Sequence, residues 1–374
     1  KKNKFFELIK ILAVEQISKE IEFDNVIFDL DDKNYKNILS NIFENKNKNL
    51  NIIQSLTYFP VEVINFIKGF FFLIGKFFIN KKKLFFKKNY NLFVAFFSYV
   101  EKREFQNNIY KSLFWGNLKK ITNTNFLHLF IKNNINNNYN ILNSKLNKIS
   151  NDFEIHNFLD NYIDKKTIFQ IFFKAIFLKF KYHLVKKDFK LFYENLNITP
   201  ALKYDLQINF LFFNIVIKLY YFYLFKNFFK NNKFEKNCFY IHENQPWEKS
   251  LIYNWKKNQK ENIFGVINSS IRFWDLRFEK SKISPDKLLV NGQDSFNKLL
   301  NLSYNEADLK IVESLRYENL IKRPSIKSNS TKEVLVLLDY SNYSNKILID
   351  ILNDSNLINN FNVTIKNHPL NKFK

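Results

Sequence analysis

The chain has 374 residues, 46% of them apolar, and a formal charge of +23; this is length enough for two domains and too apolar for a disordered chain. A single cysteine, Cys238, excludes a disulfide framework and a cysteine-built zinc site, and fits a reducing, cytoplasmic compartment. The charge invites a nucleic-acid reading, but Phe, Ile, Asn and Lys abound while Gly and Pro number only 5 and 6, the pattern of an AT-rich gene. Drift of exposed positions to lysine then explains most of the charge, and no specific nucleic acid is expected. Anionic partners in general are expected, among them nucleotide phosphates and an acidic membrane face.

Taken in chain order, "NVIFDL" (Asn25–Leu30) reads as a first strand, with "DLDD" (Asp29–Asp32) as the turn after it. "VEVINFIKGFFFLIGKFFI" (Val61–Ile79), "FQIFFKAIFLKFKYHLV" (Phe169–Val185) and "NFLFFNIVIKLYYFYLF" (Asn209–Phe225) are the most apolar windows. Lys68, Lys76, Lys174, Lys179, Lys181 and Lys218 interrupt them, so none reaches the roughly 18 uncharged residues of a membrane span. Phe169, Phe172, Phe173, Ile176, Phe177 and Phe180 fall at helical spacing, which predicts one buried face of a core helix. The alternative is a face lying on lipid, assisted by the basic and aromatic "NKKKLFFKK" (Asn80–Lys88).

Further strand-like runs are "NLFVAFFSYV" (Asn91–Val100), "NFLHLFI" (Asn125–Ile131), "CFYIHE" (Cys238–Glu243), "IFGVIN" (Ile263–Asn268) and "KLLVNG" (Lys287–Gly292). Continuous apolar runs between helical patterns predict an α/β fold with a parallel sheet buried on both faces. "NNINNNYNILNSKLN" (Asn133–Asn147) reads as a polar surface loop opening a Phe-rich helical insertion over about 133–235. After residue 320 the Ser-rich "IKRPSIKSNSTK" (Ile321–Lys332) has linker composition. "EVLVLLDYS" (Glu333–Ser341), "SNKILIDILND" (Ser344–Asp354) and "NVTIKNHP" (Asn362–Pro369) then restart a strand–helix–strand pattern over 333–374. With no Met and no terminating element after "KNHPLNKFK", the chain reads as a fragment whose second domain is incomplete.

Three clusters carry candidate chemistry. In "CFYIHENQPWEKSLIYNW" (Cys238–Trp255) a strand ends, Asn244 reads as a cap and Pro246 suits a first helical turn. His242 and Glu243 thus sit at the carboxyl end of a strand, where open α/β sheets bind ligands. Glu243, partly desolvated by Trp247, is the candidate general base, with His242, Gln245, Trp247 and Glu248 as substrate-binding candidates. The structural alternatives are a hydrogen-bonded core histidine at His242 and a carboxylate complementing the helix dipole at Glu248.

The second cluster, "GVINSSIRFWDLRFE" (Gly265–Glu279), crowds Asn268, Ser269, Ser270, Arg272, Asp275 and Arg277 after a strand. Two bidentate arginines beside hydroxyls fit a clamp for an oxyanion or carboxylate; one more strand with Asp275 paired to an arginine is the alternative. In the third, Asp339, Tyr340 and Ser341 follow one strand and Lys366 and His368 of "IKNHP" follow the next, a set fitting phosphate recognition, with a plain turn at His-Pro as the alternative. No Gly-rich phosphate loop or convincing DxD pair is present, so no metal ligands and no cofactor are expected.

Together "ENQPWEKSLIYNW", "GVINSSIRFWDLRFE", "ESLRYENL", "VLVLLDYS" and "IKNHP" resemble a family of bacterial surface-carbohydrate (O-antigen-type) biosynthesis proteins. "FFSYV", "LFWGNL" and "FLHLF" fit the same family's amino-terminal half. The resemblance implies a glycosyltransferase of the GT-B type, with two Rossmann-type domains, the carboxyl-terminal one truncated here. Its Lys-x-His-Pro segment is similar to a motif of transferases for sialic acid, Kdo and glycerophosphate, which puts a donor-phosphate contact on His368. Related enzymes often carry His in the loop that here reads "GVINSS", so Asn268 is a departure.

The expectation is therefore a metal-independent sugar transfer from a nucleotide-activated donor to a glycan or lipid-linked acceptor, at the inner face of the cytoplasmic membrane. Residues 1–320 would form the acceptor domain and 333–374 the start of the donor domain. A glycerophosphate-type transferase on the same fold and a non-catalytic protein binding membranes or polyanions are the rivals.

Overall fold

The computed structural model describes residues 58–78, 84–97, 105–106, 109–110, 112, 114–116, 122–130, 139–185, 190, 192–193, 196–197, 199, 206–268, 270–271, 278–314, 333–339, 341–354 and 360–367. The expected strand Asn25–Leu30 and the Asp29–Asp32 turn lie outside them. Contacts divide the chain into two units, 1–317 and 318–374.

The first unit is built on seven strands: β1 (Asn91–Phe97), β2 (Thr124–Phe130), β3 (Glu154–Phe158), β4 (Cys238–Ile241), β5 (Ile263–Ile267), β6 (Lys287–Val290) and β7 (Leu309–Ile311). They lie in the order β7-β6-β5-β4-β1-β2-β3, and every pair is parallel. The chain builds outward from β1 through β2 to β3, returns to the other side of β1, and builds outward again. This is the Rossmann-type strand order, with its switch point between β1 and β4.

The strands are continuous apolar runs because both faces are covered near the centre. Leu92, Val94, Leu127, Leu129, Cys238, Tyr240 and Ile263 point into one core, whose other wall is helical. Those helices are α1 (Tyr58–Phe77), α3 (Lys165–Val185), α4 (Phe212–Asn231) and α5 (Pro246–Asn258). Phe93, Phe126, Phe158 and Ile241 point the other way, against Tyr110, Trp115, Tyr139 and Leu146. Toward the β7 edge, Leu288, Val290 and Leu309 pack on Leu299 of α6 (Gln293–Asn301).

Three expectations are corrected. Part of the polar run Asn133–Asn147 belongs to a helix, α2 (Tyr139–Ile149), because Tyr139 and Leu146 reach the core while Asn143 pairs with buried Asn161. The insertion over 133–235 is not wholly helical, for it contains β3. The sequence of that strand, "EIHNF", hides it because its polar groups are buried on partners. The Asn157 amide exchanges two hydrogen bonds with the Leu84 backbone, and His156 Nδ1 lies 3.0 Å from His128 Nε2.

The third correction concerns α3. Its buried stripe is Ile168, Ile171, Ala175 and Tyr182, with Thr167. The Phe169, Phe173, Ile176, Phe177 and Phe180 stripe faces solvent instead. Both stripes have helical spacing, so periodicity alone could not choose between them.

The second unit is a βαβ unit: β8 (Glu333–Leu337), α7 (Asn342–Asp354) and β9 (Asn362–Lys366), with the strands parallel. Val336, Leu338 and Leu352 form its core.

Candidate functional site

The switch point is where a parallel sheet leaves a crevice, since the connections from the two inner strands depart in opposite directions. On the β4 side that departure is His242–Gln245, leading straight into α5. Its backbone is held at both ends. The His242 N–H donates to the Val266 carbonyl, prolonging the β4–β5 pairing. The Glu248 carboxylate then accepts the N–H groups of Glu243, Asn244 and Gln245, each at 3.0 Å. The cap of α5 is Gln245, not Asn244. Asn244 instead takes a positive φ of 56°, which asparagine tolerates better than most residues. Pro246 occupies the first helical turn, as expected.

Glu248 does more than complement a dipole. It is fully buried, and its Oε2 also lies 3.1 Å from His242 Nδ1. The Tyr240 hydroxyl lies 2.9 Å from the same nitrogen. A carboxylate oxygen at that distance requires a proton on Nδ1, and we assign one there. Among the described residues His242 Nε2 has no hydrogen-bond partner. Burial, and next the Glu248 charge, push the Tyr240 phenol well above its ordinary range, so it stays protonated. Gly265, beside Tyr240 on β5, makes the arrangement possible: a Cβ there would stand 3.0 Å from the Tyr240 hydroxyl and 3.1 Å from His242 Cβ.

Glu243 differs in every respect. Its side chain is exposed, not desolvated by Trp247 as the sequence led us to expect. The Trp247 ring is buried against Phe225 and Tyr240. Its indole nitrogen reaches the loop, donating to Gln245 Oε1 at 3.0 Å. Gln245 Nε2 in turn donates to Glu243 Oε2 at 2.7 Å. An exposed carboxylate at a switch point is therefore oriented by a buried ring through one amide. Oriented in this way, it can accept a proton from a ligand hydroxyl.

Asn268 follows β5 directly, at the same carboxyl end as this loop, and is buried, its Nδ2 without a partner among the described residues. It also lines a cavity of about 330 Å³ on the sheet face opposite α4, where Phe93, Phe239, Val266 and Leu289 form an apolar floor. None of the residues Tyr240–Glu248 lines that cavity. Ser270 is exposed just beyond, whereas Ser269, Arg272, Asp275 and Arg277 lie outside the described residues.

In the second unit the register Leu337↔Lys366 aligns the carboxyl ends of β8 and β9. Asp339 and Ser341 follow one end and Lys366 closes the other, so the fold gathers these candidates at one edge. Asn345 shapes the loop by exchanging two hydrogen bonds with the Asp339 backbone. Tyr340 and His368 lie outside the described residues. Among the described residues no group of three or more His, Cys, Asp or Glu side chains could hold a metal ion.

Sequence reasoning missed Tyr240 and Gly265. Tyr240 looked like one more apolar strand residue, and only its pairing with a histidine two residues on, the same-face spacing of a strand, could have marked it. Comparisons with family models, with curated proteins and with solved structures returned no match.

Proposed function

We propose that this protein is a glycosyltransferase of surface-polysaccharide biosynthesis, moving a sugar from a nucleotide-activated donor to a glycan or lipid-linked acceptor. The observation that carries the reading is Glu243: an exposed carboxylate at the Rossmann switch point, held by Gln245 on a loop that Glu248 anchors. The second βαβ unit, with Asp339, Ser341 and Lys366 at its carboxyl edge, supports a nucleotide-binding partner domain of the GT-B kind.

In this mechanism the Glu243 carboxylate removes the proton from an acceptor hydroxyl as its oxygen attacks the anomeric carbon. The bond from that carbon to the donor phosphate oxygen breaks, and the nucleotide leaves with the electron pair. Arg272, Arg277, Lys366 and His368 are the residues we assign to the charge that accumulates on the departing phosphate. Asn268 is assigned to substrate, since a buried amide with a free donor can hold a hydroxyl oxygen.

The test is a nucleotide-binding screen across increasing salt. A transferase prefers one nucleotide at every ionic strength. A polyanion binder shows no preference and loses affinity steeply as salt rises.

A further inference from the structure

No helix among the described residues is long and apolar enough to cross a membrane. Two of them nevertheless turn phenylalanine outward. On α3, Phe169, Phe173, Phe177 and Phe180 are between 53% and 64% exposed. On α1, Phe66, Phe70 and Phe71 are between 43% and 64% exposed. The helices lie side by side, with Phe172 of α3 in edge contact with both Phe66 and Phe70 of α1. Their opposite sides are committed to the interior. Gly69 of α1 meets the Phe212 ring of α4, and Ile168, Ile171 and Ala175 of α3 belong to the same core. The outward faces thus form one apolar surface, with α3 alone about 31 Å long at 1.5 Å per residue.

The charge around this surface selects its occupant. Helix α3 carries Lys165, Lys166, Lys174, Lys179 and Lys181 and not one acidic residue; Lys179 is paired with Glu62 of α1, so the other four give this face its positive charge. Lys174 Nζ stands 4.8 Å from the centre of the Phe177 ring, so cation and ring emerge at one level. A second copy of this chain would bring lysines against lysines. A bilayer with anionic headgroups answers both features, taking the rings among the upper acyl chains and the ammonium groups among the phosphates. We propose that the outward faces of α1 and α3 are a docking surface for an anionic membrane, engaged in the plane of the interface without spanning it. The inference rests on these two helices and not on the sugar-transfer reading.

The experiment is co-sedimentation of the full chain with vesicles of phosphatidylcholine alone and of phosphatidylcholine with phosphatidylglycerol in equal parts. The protein is expected on the mixed vesicles and not on the neutral ones. Phe173→Glu with Phe177→Glu should lower partitioning by more than about tenfold, since each ring withdraws a sizeable apolar area from the bilayer. Lys174→Glu with Lys181→Glu should lower it too, through lost attraction to the headgroups. All four positions are exposed or partly so, and both variants should melt with the parent.

Absence of binding to the mixed vesicles would overturn the proposal, and so would binding that the phenylalanine variant leaves unchanged. A lowered melting midpoint in that variant would show the face covered by the chain itself. A parent dimer that the same variant dissociates, seen by sedimentation equilibrium, would show it covered by a second copy. Either result overturns the membrane assignment.

Discussion

Glu248 Oε2 stands 3.1 Å from His242 Nδ1, and neither side chain reaches solvent. With three backbone N–H groups on the same carboxylate, Glu248 has spent its acceptor capacity on its own loop. It is a positioning residue. That leaves Glu243 as the carboxylate of this loop open to a ligand, and divides the labour between two glutamates five residues apart.

Glu248→Gln should therefore act on stability before anything else. An amide places an NH2 where one oxygen accepted donors, leaving buried N–H groups unpaired at a cost of about 3 kcal/mol. Chemical denaturation of variant and parent measures it. A difference below about 0.5 kcal/mol, the scale of an ordinary surface substitution, would contradict the role given to this carboxylate.

Two glycine substitutions should have opposite signs. Gly265→Ala drives a methyl against Leu288, the Tyr240 hydroxyl and His242, and should cost about 1–3 kcal/mol. Gly75→Ala, on α1 with no atom near its would-be Cβ, should stabilise by about 0.5–1 kcal/mol through helix propensity alone. Thermal melts of both variants report the contrast.

Trp247→Phe keeps a ring in the core but removes the donor to Gln245 Oε1, and so frees the amide that holds Glu243. The expected stability cost is about 1 kcal/mol. Donor turnover should fall several-fold with little change in KM. A KM change without a kcat change would mean that this relay serves binding only.

The stacked His128–His156 pair sets an acid limit. Burial pushes His156 from 6.5 down to about 3, and burial together with the neighbouring ring pushes His128 well down. The unfolded chain takes up protons that the folded pair refuses, so stability falls as pH drops from 6.5 toward about 3. His156 contributes a slope on the order of 1 kcal/mol per pH unit across that range, and His128 acts in the same direction. In His156→Phe the dependence of the unfolding free energy on pH should be shallower over this range. An unchanged slope would show that the pair does not control acid stability.

How far the sequence could be read depended on what each residue type leaves undetermined. Apolar strand runs such as "NLFVAFF" and "IFGVI" announced a buried parallel sheet, because continuous hydrophobicity has few other uses at that length. "EIHNF" did not, since its His and Asn are buried only through partners distant in sequence, Leu84 and His128 among them. On α3 the composition offered two stripes of equal period, and only the packing of α4 decided which one faced inward. At the site, Pro246 fixed the turn into α5 and so the position of Glu243. The hold of buried Glu248 on the loop was not legible, because it depends on where the three-dimensional loop aims its N–H groups.

The central claim is that Glu243 is the base of a sugar transfer at the switch point, and donor turnover by Glu243→Gln tests it most directly. The side chain is exposed, so the variant should fold with the parent's stability. Turnover of the preferred nucleotide-sugar is predicted to fall by at least about a hundredfold, the usual scale for a lost general base, with nucleotide affinity retained. Full turnover in the variant would contradict the account.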